Sequence, residues 1–191
     1  YSGFIAGLKR GLPQVAEDPA RLEHVVQLGA GGAGSATAYA LCRLGVHRLS
    51  LFERDVAKAQ ELAEQLGGLF PQTRIEVLTD DERLIEALLE AQGLVNATPV
   101  GMHVHPGMPL SESALSAGVL REGLWVADVI YLPQQTQLVR AARAAGCEVL
   151  TGGYMAVGQA VDAFRLFTGL EPNAERMAAH FEVLIAAQQG I

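Results

Sequence analysis

A glycine-rich turn carries the clearest chemistry in this sequence. It reads Gly29-Ala30-Gly31-Gly32-Ala33-Gly34 and separates an apolar run at 24–28 from a small-residue helical run at 35–44. Gly29 allows a tight turn out of a strand, Gly31 lets the backbone approach a pyrophosphate, and Gly34 lets the helix pack closely. Free N–H groups at the start of that helix would then face the anion. The turn therefore predicts a dinucleotide site, and a glycine-rich helix start without a ligand is the alternative.

An acidic residue at the end of the next apolar run bears on which dinucleotide binds. Glu53 stands roughly 20 residues beyond the glycines, where a carboxylate accepts hydrogen bonds from a ribose 2′-hydroxyl. That carboxylate would repel a 2′-phosphate, whereas Arg54 would attract one or lie flat against an adenine face. We therefore expect NAD to be preferred, with NADP as the alternative cofactor. The other interpretation of Glu53 is a solvated charge at a strand end.

Three further polar segments follow apolar runs, at residues 95–102, 128–136 and 151–159. Open α/β sheets bind ligands outside the carboxyl ends of their strands, so these segments are candidates for the rest of the site. Gly152 lacks a side chain where a flat ring must approach a strand end, and Gln159 offers both a donor and an acceptor. Each segment also has a structural interpretation: Asn96 tying its own turn, Met155 packing in the core, and Gln159 capping a loop.

Apolar runs alternate with amphipathic segments, and this alternation predicts the elements that position the site. Strands are expected at 24–29, 48–53, 74–78, 93–97, 124–130 and 147–151. Helices are expected at 2–11, 32–45, 55–66, 81–91, 111–118, 135–145, 154–168 and 173–189, with a polar connector at 13–23. Such alternation builds right-handed βαβ units, so the predicted fold class is α/β, a doubly wound Rossmann-type parallel sheet of about six strands with flanking helices. The predicted organisation is a lead-in helix and connector at 1–23, a nucleotide-binding domain at 24–172 and a C-terminal helix at 173–191.

Composition narrows the class of protein. The chain has 191 residues, and its net charge of −7 argues against a nucleic-acid partner. The sequence contains no run of about 18 apolar residues, so no membrane span is predicted. Cys42 and Cys147 lack the spacing of metal ligands and are expected to be buried thiols in a reducing compartment, which favours a cytoplasmic location.

In this order after the glycine turn, three motifs resemble the C-terminal nucleotide-binding domain of the shikimate/quinate dehydrogenase family. They are Asn96-Ala97-Thr98-Pro99-Val100-Gly101-Met102, then Asp128-Val129-Ile130-Tyr131-Leu132-Pro133 with Thr136, then the glycine-rich segment 152–159. The resemblance runs to about residue 172 and implies reversible hydride transfer between NAD(P) and a cyclic polyol acid, shikimate or quinate. It implies that Thr98 and Val129 line the nicotinamide side and that Gly152 meets the carboxamide through its backbone. It further implies that Tyr131 and Gln159 reach the hydroxyls of the substrate.

The family's proton-transfer residues have no counterpart that we recognise in this chain. The resemblance implies a lysine and an aspartate in an N-terminal lobe, whereas the two lysines here, Lys9 and Lys58, fit neither that motif nor that place. We assign no catalytic residue and expect the chain to begin just past the hinge from that lobe. It is then expected to share its substrate with the lobe and to be inactive alone, while a homodimer is compatible with the sequence.

Two other functional interpretations stay open. The first is a non-catalytic, dehydrogenase-like sensing module of a regulator, although the intact glycine turn and Glu53 favour true cofactor binding. The second is an amino-acid or folate dehydrogenase, against which the segments 128–131 and 152–159 argue. His103 and His105 would point the same way in an extended segment, but no third ligand lies nearby in the sequence. We therefore predict no metal site and expect a mobile loop over the cofactor.

Overall fold

A parallel sheet forms the centre of the computed structural model, which describes residues 1–189. Its strands are β1 (His24–Leu28), β2 (Arg48–Phe52), β3 (Arg74–Leu78), β4 (Gly93–Asn96), β5 (Trp125–Asp128) and β6 (Glu148–Leu150). All neighbours pair in parallel, in the order β3-β2-β1-β4-β5-β6. This confirms the predicted doubly wound α/β fold, and each observed strand lies inside its predicted range. The order reverses between β1 and β4, the point at which such sheets bind ligands.

Helices cover the sheet at nearly all the predicted places. They are α1 (Ser2–Gly11), α2 (Pro13–Glu17), α3 (Gly32–Leu44), α4 (Val56–Leu69), α5 (Asp81–Glu90), α6 (Glu112–Ser116), α7 (Gln137–Ala144), α8 (Gly153–Thr168) and α9 (Ala174–Gln189). Within the part of the chain that the structure describes, no helix combines the length and apolar character needed to cross a membrane.

The segment at 13–23, which we predict to be a connector, is instead mostly helical. It forms α2 and a 3-10 helix, Pro19–Leu22. Each begins with a proline, whose fixed φ suits the first position of a helix and whose missing N–H needs no partner there. The Asp18 carboxylate caps the second of them by accepting a hydrogen bond from the Ala20 N–H at 3.0 Å. Val15, the middle residue of α2, is buried, so tertiary packing stabilises a stretch whose polar composition favours a loop.

Both faces of the sheet are buried, as a sheet with helices on both sides requires. Successive residues of β5 enter different cores: Trp125 and Ala127 join one, and Val126 joins the other. On the first side α1 crosses α8 closely, because a Cβ on Gly158 would lie 2.5 Å from the Cα of Gly3. This crossing fixes α8, and with it Gln159, relative to the sheet.

A chain of polar side chains runs from the first residue of β1 to the central residues of β2 and β3. His24 Nε2 is 2.8 Å from Ser50 Oγ, and the Ser50 hydroxyl donates to Glu76 Oε1 at 2.6 Å. Because that hydroxyl hydrogen goes to Glu76, His24 must carry its proton on Nε2. Its Nδ1 is buried and finds no partner among the described residues. Burial, assisted by the positive charge of Arg48, lowers the pKa of His24 to about 4, so the imidazole is neutral at pH 7.

Candidate functional site

The glycine turn leads from β1 into α3, where the sequence predicts it. Gly29 has a φ of +96°, a value that favours glycine, and its N–H donates to the Phe52 carbonyl at 2.8 Å. A Cβ on Gly34 would lie 2.3 Å from the Gly29 carbonyl oxygen, so α3 begins in close contact with the turn. Around Gly31 and Gly32, a Cβ would meet no atom of the described residues within 4 Å. The first N–H groups of α3 are therefore open to an anion.

Glu53 lies directly after β2 and reaches back to this turn. Its Oε2 accepts a hydrogen bond from the Ala30 N–H at 3.0 Å, and its Oε1 accepts one from the Asp55 N–H at 3.3 Å. The carboxylate is thus fixed beside the turn, at the end of the strand next to β1. Arg54 is exposed and forms no hydrogen bond or ion pair with the described residues. Its guanidinium remains available to a ligand that passes the end of β2.

A buried hydrogen-bond network joins the ends of β4 and β5. Asn96 Nδ2 donates to Asp128 Oδ1 at 3.1 Å, while Asn96 Oδ1 accepts from both the N–H and the hydroxyl of Thr98. Asp128 also accepts hydrogen bonds from the Ile130 N–H at 3.1 Å and from the Thr136 hydroxyl at 2.7 Å. Burial raises the pKa of the Asp128 carboxyl, and its three hydrogen-bond donors act in the opposite direction. The network fixes the loops that carry Thr98 and Tyr131.

This network extends what the sequence indicates for its members. Asn96 ties its own turn, which is one of the two interpretations above, but it also links β4 to β5 through Asp128. In the sequence, Asp128 and Thr136 are members of a motif, but the motif predicts no role for either residue. Thr136 is the N-cap of α7. A carboxylate at a strand end eight residues earlier can accept a hydrogen bond from its hydroxyl, so this pairing could have been predicted from the sequence.

A cleft of about 590 Å³ opens at the carboxyl ends of the central strands. Eight of the predicted site residues line it: Gly31, Gly32, Ala33, Thr98, Val129, Tyr131, Gly152 and Gln159. The backbones are close at one end of it, since a Cβ on Gly152 would lie 2.2 Å from the Val129 carbonyl oxygen. Met155 belongs to the core, as one interpretation holds, and it also lines the cleft.

The other five predicted residues lie outside the cleft lining. Gly29, Ala30 and Gly34 form the turn beneath it, and Glu53 is hydrogen-bonded to that turn. Arg54 follows Glu53 on the outer side and is not brought to the cleft. The structure thus assembles a turn and a cleft from distant segments, in the arrangement that an extended dinucleotide requires.

The two histidines of the loop after β4 are not arranged as an extended segment would place them. The extended arrangement in which they would point the same way does not occur, because Met102 and His105 form a tight turn in which the His105 N–H donates to the Met102 carbonyl at 3.0 Å. Gly101 closes the turn with a φ of +118°, and its N–H donates to the His105 carbonyl at 2.7 Å. As a result His103 and Val104 line the cleft, and His105 is not among its lining residues in the described chain.

Comparison with known proteins gives a consistent result. A family model, the shikimate 5′-dehydrogenase C-terminal domain, matches residues 154–180, which span most of α8 and the start of α9. The chain is 53% identical over 189 residues to the shikimate dehydrogenase (NADP(+)) of Arthrobacter sp. (strain FB24), covering 99% of this chain and 61% of that protein. It is 46% identical over 180 residues to a quinate/shikimate dehydrogenase (NAD(+)) of Corynebacterium glutamicum, covering 94% of this chain and 60% of that protein.

A solved structure shares the fold over nearly the whole chain. The quinate dehydrogenase from Corynebacterium glutamicum in complex with NAD superposes with a TM-score of 0.83 at 44% sequence identity, covering 95% of this chain and 61% of that chain. This chain spans about three fifths of the length of the relatives it matches. Sequence identity, sheet topology and the family model agree: over nearly its whole length this chain is similar to shikimate and quinate dehydrogenases.

Proposed function

We propose that this chain binds a nicotinamide cofactor and provides one wall of the hydride-transfer site of a shikimate- or quinate-type dehydrogenase. The observation that carries the proposal is the cleft that joins Gly31 and Gly32, at the open end of α3, to Tyr131, Gly152 and Gln159. A dinucleotide fits this arrangement for two reasons. The backbone at Gly31 and Gly32 is open where a pyrophosphate needs N–H groups, and Gly34 lets α3 pack closely against the turn.

The chain's own residues would bind and orient the cofactor. The first N–H groups of α3 would hold the pyrophosphate, and Glu53 would accept hydrogen bonds from the adenosine ribose. Thr98 and Val129 would line the nicotinamide side, and the Gly152 backbone would face the carboxamide. Tyr131, which is 50% exposed, and Gln159 would reach the hydroxyls of a cyclic substrate. When bound, the cofactor supplies the acceptor or donor of a hydride.

NAD is the cofactor that the site favours. The Glu53 carboxylate is fixed beside the turn by two backbone N–H groups and would meet a 2′-phosphate with like charge. The exposed Arg54 acts in the other direction and keeps some affinity for NADP. The relatives include both an NADP(+) and an NAD(+) enzyme, so a choice between the two cofactors exists within the family.

The family resemblance implies that the acid–base residues lie outside this cleft. Among the described residues that line the cleft, His103 and Tyr131 are the titratable ones. The lining formed by these described residues contains no carboxylate, and Lys9 and Lys58 both lie outside it. We therefore place the acid–base residues in the part of the relatives that lies beyond this match.

Calorimetry on this chain tests the proposal, with NAD, NADP and ADP-ribose as separate titrants. We expect saturable binding of NAD and weaker binding of NADP. ADP-ribose keeps the pyrophosphate and lacks the nicotinamide, so we expect it to bind through the turn. With shikimate or quinate and NAD present, the chain is expected to produce no NADH. Failure to bind either dinucleotide would refute the cofactor role, and NADH formation would refute the placement of the acid–base residues.

A further inference from the structure

A buried glutamine lies directly beneath the glycine turn. Gln27 is 0% exposed and is the fourth residue of β1, flanked by Val26 and Leu28. Its amide Nε2 donates to the Gly29 carbonyl at 2.8 Å and to the Gly34 carbonyl at 2.9 Å. Its Oε1 accepts a hydrogen bond from the Thr37 hydroxyl at 2.8 Å. One side chain therefore links the first glycine of the turn, the last glycine and the second turn of α3.

These hydrogen bonds fix the direction in which the turn presents its N–H groups. In a trans peptide the C=O and the following N–H point in opposite directions. Because the Gly29 carbonyl points inward to Gln27, the next N–H, that of Ala30, points outward, where it donates to Glu53 at 3.0 Å. Among the described residues Gln27 is the donor that reaches the Gly29 carbonyl, so it holds the carbonyl side of this peptide while Glu53 holds the N–H side.

Packing alone does not call for a glutamine at this position. A side chain of similar volume without polar atoms would fill the space between β1 and α3, as apolar residues do elsewhere along this strand. Burying an amide has a free-energy cost that hydrogen bonds only roughly offset. Gln27 uses both of its donor hydrogens on carbonyls of the turn, which points to a role in turn geometry.

We propose that Gln27 is a positioning residue of the cofactor site: its amide holds the peptides at Gly29 and Gly34 in the orientation that binds the pyrophosphate and, through the Ala30 N–H, sets the position of Glu53. The inference rests on the proposed cofactor role of this chain and assigns that role a further residue. Gln27 touches the turn and makes no contact with the cleft, so it acts through the backbone.

The test compares three variants by calorimetry with NAD, under conditions where circular dichroism shows each to be folded. Gln27→Met keeps the volume and loses both donors, and we expect NAD affinity to fall by about tenfold. Thr37→Val removes the hydrogen bond to Oε1 and leaves both amide donors in place. That variant is expected to bind NAD within about threefold of the unmodified chain.

Gln27→Glu supplies a readout that a purely structural role would not move. The new carboxyl can donate to a turn carbonyl only when it is protonated, so NAD affinity relative to the unmodified chain should recover as pH falls. The Met variant, which cannot titrate, should show a constant ratio. If the Met variant does not fold, the pH profile of the Glu variant decides.

The outcomes separate the two claims. NAD binding by the unmodified chain together with near-native affinity in Gln27→Met, or a pH-independent ratio in Gln27→Glu, overturns the role of Gln27 alone. Absence of NAD and NADP binding in the unmodified chain overturns the proposed function and this inference with it. Weakened binding in Gln27→Met with acid recovery in Gln27→Glu supports the assignment.

Discussion

Replacing His24 by glutamine removes a buried titrating group while keeping its hydrogen bond. His24 is 4% exposed, and its Nε2 lies 2.8 Å from the Ser50 hydroxyl oxygen. The Gln amide can donate to the same oxygen, so the polar chain to Glu76 is preserved. What changes is the proton linkage, because burial and the charge of Arg48 hold the pKa of His24 at about 4 in the folded chain.

The size and sign of the effect follow from that pKa. In the unfolded chain His24 titrates near 6.5, so between about pH 6.5 and 4 the unfolded state binds a proton that the folded state excludes. The contribution of the neutral His24 to the free energy of unfolding is therefore fully present above about pH 6.5, and it is lost as the pH falls through this window. The full difference amounts to about 3 kcal/mol below pH 4, and at pH 5 the loss is about 2 kcal/mol relative to pH 8.

Urea unfolding followed by the fluorescence of Trp125, the one tryptophan of the sequence, measures this loss. Between pH 8 and pH 5 the unmodified chain should lose about 2 kcal/mol more unfolding free energy than His24→Gln. Acidic groups such as Glu76 add to acid sensitivity in both proteins and cancel in the difference. A control variant, His47→Gln, replaces a histidine whose side chain is 66% exposed and measures what the loss of a surface histidine contributes to the slope. Equal slopes in the unmodified chain and His24→Gln would refute the reasoning.

Three further substitutions test the fold and the site. Gly93→Ala places a Cβ 2.2 Å from two ring carbons of Trp125, so we expect a loss of about 1–3 kcal/mol and a shifted tryptophan emission maximum; unchanged emission would contradict the packing. Glu53→Asn removes the charge that would lie beside the ribose in the proposed site. The ratio of NAD to NADP affinity, measured by calorimetry, should then fall about tenfold. A constant ratio would show that Glu53 does not set the cofactor preference. Asp128→Ala leaves three buried donors without their acceptor and should lower the urea-unfolding free energy by about 3 kcal/mol, a value that a merely solvated carboxylate would not reach.

The sheet and the glycine turn were predictable because each depends on local pattern. A strand buried on both faces is a short apolar run, and the turn needs glycine at the position where φ is +96°. The helical stretch at 13–23 was missed since its polar composition outweighs the two proline starts, and only the burial of Val15 reveals the helix. The turn between Met102 and His105 was not predictable from the spacing of the two histidines, because backbone hydrogen bonds among Gly101, Met102 and His105 close it.

The hydrogen-bond networks lay beyond sequence reasoning for a different physical reason. Gln27 and Thr37 are ten residues apart, and Asn96 and Asp128 are 32 apart. Whether such side chains meet depends on strand register and on the angle at which a helix leaves its strand. Neither quantity is encoded in the spacing of residue types. A buried glutamine in an apolar strand was nevertheless a visible signal, because such a group requires partners.

In the proposed site, cofactor choice and turn geometry should be coupled through one peptide, Gly29–Ala30. The Glu53 carboxylate, to which we assign the choice between a ribose hydroxyl and a 2′-phosphate in the proposed site, accepts a hydrogen bond from the Ala30 N–H at 3.0 Å. The direction of that N–H is set by the opposite end of its peptide, where the Gly29 carbonyl accepts from Gln27 at 2.8 Å. A change at Gln27 should therefore alter discrimination between the two cofactors as well as affinity. In the proposed site, the residue after the second strand would supply the charge that selects the cofactor, and the first strand would supply the amide that orients the turn.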